Sequence, residues 1–247
     1  MEKYYFIVIA LIFFFSCKKN DQAPFFDANT SISISGDKQQ GTKADSLVYS
    51  FAVQPSSLQE TNIKIHVRTV GNIVDSDREF SLVINPTLTT AEDAEFEFPK
   101  VFTMPANAST TTINVKIKRS ERLKATNAKL VIDVAENKEF KPAPIFKSLT
   151  DPYQTNRFSI VWTDVLTKPA EWDDGVYFLY MFGEWSKTKH QLIIDATGRA
   201  SYTDLVPFEE EWYAILAKSS AWLAEYNAAH PDDPLVDEHG DIVEFYF

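Results

Sequence analysis

The sequence is poor in cysteine, glycine and histidine, and each shortage removes a class of site. Cys17 is the only cysteine among 247 residues, so no disulfide can form within the chain and a zinc site built from several cysteines is excluded. Seven glycines leave few places for a loop that cradles phosphate. No two of the four histidines have the i, i+4 spacing of a helical zinc motif.

Basic residues are also few, with 24 lysines and arginines against 35 acidic residues and a net charge of −11. An acidic surface repels phosphate backbones, and the basic stripe of a nucleic-acid binder is missing. We therefore expect no nucleic-acid partner. The hydrophobic content of 45% is ordinary for a globular protein, and a chain of this length can bury a real core without disulfides.

The long apolar run of the chain lies at the N-terminus, over residues 4–15. A helix of that length spans about 18 Å, whereas the hydrocarbon core of a bilayer is about 30 Å thick. A secretory signal peptide therefore fits this segment better than a transmembrane helix.

The end of this segment resembles a bacterial lipobox, in which the cysteine is acylated and becomes the new N-terminus. Ser16 supplies the small residue before Cys17, while Phe14 replaces the usual leucine. The alternative is an ordinary secretory signal with a chance cysteine. We expect a signal peptide with its lipidated cysteine over residues 1–17, and a short polar tether over residues 18–23 that attaches the protein to a membrane.

Apolar and polar side chains alternate along short runs between residues 24 and 144. This alternation is typical of β-strands with one buried and one solvated face, and polar turn segments separate the runs. The runs centre on Ile32–Ile34, Leu47–Val53, Ile63–Val67, Phe80–Ile84, Ile113–Ile117 and Leu130–Val134. Strands so spaced predict an antiparallel, immunoglobulin-like β-sandwich over residues 24–144.

The composition changes after Pro144, and all five tryptophans lie beyond it. Residues 207–229 predict one main helix, with Pro207 at its start, acidic residues in its first turn and Pro231 after its end. Strands are predicted at 158–162, 175–182, 191–195 and 242–247, the middle two forming a hairpin. We predict that residues 145–247 form a small α+β domain, with the helix packed on an antiparallel sheet.

Three aromatic residues are candidates for ligand binding, because sugars stack their C–H faces on exposed aromatic rings. Trp185 lies in the loop of the predicted hairpin, Trp172 in another loop, and Tyr153 near the domain junction. The alternative for each is a ring that folds back onto the small domain.

Two acidic segments contain possible oxygen ligands. One is Glu171-Trp172-Asp173-Asp174, and the other is residues 232–241, which include His239. Either can hold a divalent cation, and His239 can act as a base, but both segments also fit solvated turns. The chain has no G-x-S-x-G elbow. We predict no metal, no cofactor and no catalytic residue, and hence no enzyme.

Two segments near the C-terminus, YMFGEWSKTKHQLIIDATG and LAEYNAAHPDDPLVDEHGDIVEF, resemble a family of uncharacterised lipoproteins of Bacteroidota. The stretch that begins EFSLVINPTLTT resembles the same family. The resemblance rests mainly on the patterns Y-x-F-G-x-[YW]-S-x-x-K-[YH] and A-E-Y-N-A-x-x-P. It implies a domain of unknown function, typically encoded beside SusC- and SusD-like nutrient-uptake systems, and it brings no catalytic residues.

These observations predict a non-catalytic outer-membrane lipoprotein at the cell surface. We expect it to assist a nutrient-uptake system, either by binding a glycan or another polymer or by docking on a SusC/SusD-like complex. One alternative is a structural or adhesive lipoprotein that contacts another protein or a host surface. The other is an enzyme that uses a carboxylate or His239.

Overall fold

The computed structural model describes residues 30–36, 45–143, 156–173 and 176–246. The strands in these residues are β1 Ser31–Ser35, β2 Ser46–Ser50, β3 Glu60–Val70, β4 Arg78–Ile84, β5 Phe96–Glu97, β6 Phe102–Met104, β7 Thr110–Lys118, β8 Asn127–Ala135, β9 Lys141–Pro142 and β10 Arg157–Thr163. The α-helices are α1 Val176–Phe182, α2 Lys187–Thr197 and α3 Glu210–Ala229. The candidates Cys17 and Tyr153 lie outside the described residues.

Two five-stranded sheets enclose one hydrophobic core, so the protein is mainly β, as predicted. The first sheet has the order β5-β7-β3-β1-β9, and the second has the order β2-β10-β8-β4-β6. Most neighbouring strands are antiparallel, but β9 pairs with β1, and β10 with β2, in parallel. Both sheets are therefore mixed, and the prediction of a wholly antiparallel arrangement is wrong. Parallel pairs need long crossover connections, which the alternation of side chains along a strand does not reveal.

The alternation read from the sequence decides which side chains enter this core. Successive side chains of a strand point to opposite faces of its sheet. The buried apolar side chains of β3 are Ile63, Ile65 and Val67, and those of β8 include Leu130, Ile132 and Val134. Trp162 of β10 is fully buried, as predicted, and its indole N–H donates to the carbonyl oxygen of Lys118 at 3.2 Å.

The strand predicted at 158–162 exists, but it belongs to the second sheet. As β10 it lies between β2 and β8 and bonds to both. The predicted domain boundary at residue 144 therefore falls between two strands, β9 and β10, that are both part of the sheets. The strand-bearing part of the molecule continues to Thr163.

α1 replaces the first strand of the predicted hairpin, residues 175–182. Its aromatic residues favour a strand, but the positions of its buried side chains follow helical spacing. The buried side chains are Phe178, Met181 and Phe182, whereas Leu179 and Tyr180 are exposed. Positions i, i+3 and i+4 face one side of a helix, so this segment buries its apolar side chains as a helix.

α2 replaces the second predicted strand, residues 191–195. Ser186 is its N-cap, and the Ser186 hydroxyl oxygen accepts the backbone N–H of Lys189 at 3.2 Å. Gly198 ends the helix with a φ of 72°, and its N–H donates to the Ile194 carbonyl. Serine before a helix and glycine after it are the usual start and stop signals, and here they override the apolar run between them.

α3 confirms the predicted main helix but begins later, at Glu210. Phe208 has a φ of 64°, a left-handed conformation that interrupts a helical path, so Pro207 is not the first helical residue. The helix ends at Ala229, before Pro231, as predicted. Within the described ranges, no helix is long and apolar enough to cross a bilayer.

The C-terminal segment runs back along the helices. The strand predicted over residues 242–247 is reduced, in its described part, to an isolated bridge between Val236 and Ile242. The backbone N–H of Tyr246 donates to the Met181 carbonyl at 3.0 Å. α3 packs on α2, so the predicted packing of one helix on an antiparallel sheet is wrong.

The position of β10 predicts how fragments of the chain behave. A fragment of residues 24–144 lacks the inner strand β10 and its buried Phe158, Ile160 and Trp162, so we expect no cooperative thermal transition by circular dichroism. A fragment of residues 24–169 keeps both sheets complete and should unfold cooperatively. Equal transitions in the two fragments would show that β10 is dispensable.

Candidate functional site

A cleft of about 860 Å³ lies where the helical part of the chain meets one end of the sheets. Its walls are formed by residues of the sheets and by residues of the helical part. The sheet side includes Ser56, Gln59, Arg119, Glu121, Lys124 and Asp164, and the helical side includes Lys187, Thr188, Gln191, Trp222, Leu235 and Glu238. Ligand sites often lie at junctions between structural units, and this volume is within their usual range.

A buried ion pair lines the sheet side of the cleft. Arg119 follows β7 and Asp164 follows β10. The guanidinium Nε and Nη2 each donate to one carboxylate oxygen at 2.7 Å, and the two side chains are 9% and 2% exposed. Arg119 Nη1 also donates to the Pro55 carbonyl at 3.2 Å. In this bidentate geometry each buried charge neutralises the other and fills its hydrogen-bonding positions. The bond from Arg119 to Pro55 holds the turn after β2 against the ion pair.

Hydrogen bonds attach α2 to the same turn. The backbone N–H and the hydroxyl of Ser56 donate to the two carboxylate oxygens of Asp195, both at 2.6 Å. Gln191 Nε2 donates to the Gln54 carbonyl at 3.2 Å. The hydrophobic clusters of the described residues do not cross the junction. Polar contacts around residues 54–56 therefore help to set the width of the cleft.

Trp222 supplies the aromatic surface of the cleft. Its half-buried ring stacks on Tyr226, with centroids 5.7 Å apart and planes 10° apart, and Tyr226 stacks on His230 at 4.3 Å. Trp222 and Tyr226 lie on α3 and His230 is its C-cap. Their spacing of four residues places them on one side of the helix. Sequence reasoning did not select Trp222. Its spacing to Tyr226 and His230 was the available signal.

Charged groups of both signs complete the lining. Lys124 and Glu121 pair at 2.8 Å on the sheet side. On the helical side, Glu238 accepts the backbone N–H of Lys187 at 2.7 Å and that of Thr188 at 3.2 Å, so a carboxylate caps the positive end of α2. Burial alone would raise the pKa of Glu238, but these hydrogen bonds outweigh burial and hold the pKa below its usual value.

Two of the aromatic candidates from the sequence, Trp172 and Trp185, do not line the cleft. Trp172 is only 5% exposed, its indole N–H donates to the Gly183 carbonyl at 3.0 Å, and its ring packs on Phe178. Trp185 is half-buried against the same aromatic cluster, with Nε1 3.5 Å from His190 Nδ1. The cluster encloses the Trp172 ring and partly covers the Trp185 ring, so neither ring forms the open platform that the sequence predicted.

His190 is buried beside these rings, 2% exposed and with its ring centroid 5.6 Å from that of Trp172. Burial lowers the pKa of His190 to about 4, because an apolar environment disfavours the imidazolium form. The neighbouring Lys189 is also buried, and its Nζ donates to the Glu184 carbonyl at 3.0 Å. Burial lowers the pKa of Lys189 as well. Sequence reasoning selected neither residue.

The described part of the first acidic segment forms the end of a short 3₁₀-helix, Ala170–Trp172, and the second segment contains a turn. Asp173 pairs with Lys168 at 2.6 Å, while Asp174 lies outside the described residues. Asp237 accepts the backbone N–H groups of His239 and Asp241 at 2.8 and 3.0 Å, the side-chain-to-backbone bonding of an Asx-type turn. Across the parts of the chain that the structure describes, no group of three or more His, Cys, Asp or Glu residues is arranged to hold a metal ion.

Comparison with known proteins identifies the family. Residues 26–199 match the family described as Domain of unknown function (DUF4843). The match covers more than half of the chain, so this protein belongs to that family. It includes the strands of both sheets as well as α1 and α2. No curated protein sequence matches the chain.

Several solved structures are similar over about half of the chain. A Bacteroides ovatus protein of unknown function, solved at 2.61 Å, is 14% identical, with a TM-score of 0.32 over 54% of this chain and 45% of that one. A second from the same organism, solved at 1.55 Å, is 16% identical, with a TM-score of 0.36 over 52% and 43%. The N-terminal domain of PorA is 7% identical, with a TM-score of 0.28 over 54% and 96%.

This chain therefore spans less than half the length of either Bacteroides ovatus protein. At these TM-scores the three similarities carry no information about its function.

The buried imidazole predicts a pH dependence of stability. Below its ordinary pKa of 6.5, His190 binds a proton in the unfolded chain but not in the folded one, whose pKa is about 4. The free energy of unfolding should therefore fall as the pH is lowered through this window, by up to about 3 kcal/mol. Chemical denaturation across the window should give a shallower pH dependence for His190→Gln than for the wild type.

The matched control is His239→Gln, because the His239 side chain is 66% exposed. This variant should follow the wild-type curve. Parallel curves for the wild type and His190→Gln would contradict the assignment of the effect to His190.

Proposed function

We propose that the protein is a non-catalytic binding protein, and that its cleft holds a segment of a glycan. The observation that supports this proposal is the composition of the cleft. One aromatic ring, Trp222, lines it together with amide, hydroxyl and charged side chains from both parts of the molecule. Binding sites of this kind combine apolar contact with a few polar groups that fix the orientation of the bound molecule.

A sugar ring suits this lining chemically. Its C–H face is apolar and can lie against the indole of Trp222, while its hydroxyl groups can both donate and accept hydrogen bonds. Gln59 and Gln191 carry amides that do the same, and Glu121 supplies an acceptor. Stacking on Tyr226 holds the indole in place before binding, which reduces the entropy lost on binding.

The N-terminal sequence supports a location at a membrane. In this proposal Cys17 carries the lipid, residues 18–23 form the tether, and the two sheets form an immunoglobulin-like sandwich close to the membrane. The helical part then lies farther out. The resemblance to lipoproteins of Bacteroidota favours the outer membrane and the cell surface, in association with a SusC/SusD-like nutrient-uptake system. Docking on that system is the alternative use of the same surface.

The Trp222→Ala variant tests the cleft. We expect the soluble chain from residue 18 onward to bind at least one polysaccharide in affinity electrophoresis, and the variant to bind it about tenfold more weakly, or about 1.4 kcal/mol. Tyr213→Ala is the matched control, since Tyr213 lies on the same helix and is 49% exposed but does not line the cleft. Equal loss in both variants would contradict binding in the cleft, and no retardation by a broad panel would contradict glycan binding and leave docking.

Anchoring is tested separately from binding. In a Gram-negative host, the full chain should incorporate labelled fatty acid and fractionate with membranes, and Cys17→Ala should do neither. Ser16→Ala keeps a small residue before the cysteine and should behave like the wild type. Fatty-acid incorporation that persists in Cys17→Ala would refute lipidation at this position.

A further inference from the structure

The second sheet has an open edge beside β4. β6 pairs with only the first part of β4, matching Arg78–Phe80 with Phe102–Met104. On its other side, β4 pairs with β8 as far as Ile84. The end of β4 therefore extends past the end of β6, and among the strands that the structure describes its backbone there has a neighbour on one side only.

The register shows which backbone groups face the open side. The N–H of Asn85 donates to the Val131 carbonyl at 2.8 Å, so Val83, two residues earlier, also directs its N–H and C=O groups toward β8. In an antiparallel pair this direction alternates from one residue to the next. Leu82 and Ile84 consequently present their donors and acceptors on the side that β6 leaves uncovered.

An apolar cavity of about 530 Å³ opens at the same place. It is lined by the end of β4 and by part of the segment that passes from the first sheet to the second, including Phe96, Phe98 and Phe102. Val83 is 46% exposed at this site, and the rings of Phe98 and Phe102 lie 5.3 Å apart. Asp93 and Lys100 add one charge of each sign to the lining.

We propose that this edge binds an extended peptide segment of another protein as an added strand beside β4, with one large apolar side chain in the cavity. The N–H and C=O groups of Leu82 and Ile84 repeat every two residues, about 7 Å, which is the repeat of a facing strand. A peptide satisfies such a repeat with its own backbone, and its alternate side chains reach pockets beside the edge.

The charges in the cavity lining and the length of the open edge indicate what kind of peptide fits. The acidic and the basic group in the lining complement a peptide that carries one lysine and one glutamate on either side of its apolar residue. Only two residues of β4 face the open side, so the contact involves about three to five peptide residues. This surface is separate from the cleft, and the proposal does not depend on what the cleft binds.

The test uses acetylated and amidated heptapeptides with a central Val, Leu, Phe or Trp between one lysine and one glutamate. We expect at least one to bind saturably at micromolar to millimolar concentration, and to slow hydrogen exchange at the amides of Leu82 and Ile84. The amide of Val83 already bonds to β8 and serves as the internal reference. No binding by any peptide, or binding that leaves Leu82 and Ile84 unprotected, overturns the proposal.

Two matched pairs make the result specific. Methylation of the peptide nitrogens that face β4 should abolish binding, whereas methylation of the alternate nitrogens should not. On the protein, Val83→Lys should weaken binding at least about tenfold, whereas Val101→Lys should not, because Val101 is 70% exposed and does not line the cavity. Equal binding of the two methylated peptides would refute strand addition even if Val83→Lys failed to fold.

Discussion

The ion pair between Arg119 and Asp164 is the interaction on which the arrangement of the cleft depends. Arg119 extends from the first sheet and Asp164 from the second, so the pair joins the two sheets at the end that faces the helices. The bond from Arg119 to the Pro55 carbonyl fixes the turn that α2 contacts. Loss of either partner would leave a buried charge unpaired, which lowers the free energy of unfolding by about 3–5 kcal/mol. The turn after β2 and the adjoining end of one sheet would then lose the contact that holds them.

The molecule combines two ways of holding its elements together. Within the sheets and within the helical part, buried apolar side chains dominate and specify close packing. Between the two parts, the described contacts around Ser56 and Asp195 are hydrogen bonds near solvent. Such bonds contribute little net free energy each. The interior of each part is thus firmly determined, whereas the spacing between the parts can respond to a bound molecule.

The sequence predicted those features that depend on local periodicity. The alternation at Ile63, Ile65 and Val67 located β3 and its buried face, and the acidic first turn together with Pro231 after the end located α3. Features that depend on distant partners were not predictable in this way. β10 reaches its position between β2 and β8 through crossover connections, and no local sequence pattern encodes that position.

The errors in the helical part have a different cause. The apolar runs of α1 and α2 have the composition of strands, and the capping signals at Ser186 and Gly198 were the better guide. The candidate site failed at Trp172 because an irregular backbone does not imply an exposed side chain. Trp172 is the last residue of the 3₁₀-helix Ala170–Trp172, and it packs into the aromatic cluster. Trp222 lies within a regular helix and yet reaches the cleft.

The carboxylate of Glu238 on the first turn of α2 lies outside the stretch that the family match covers. That stretch ends at residue 199, whereas Glu238, Trp212 and Tyr246 come later in the chain. Glu238 accepts backbone N–H groups of α2, Trp212 packs on Phe178, and the N–H of Tyr246 donates to the Met181 carbonyl. A chain cut after residue 199 would keep Ser186, the N-cap of α2, but would expose the apolar side of α1 to water.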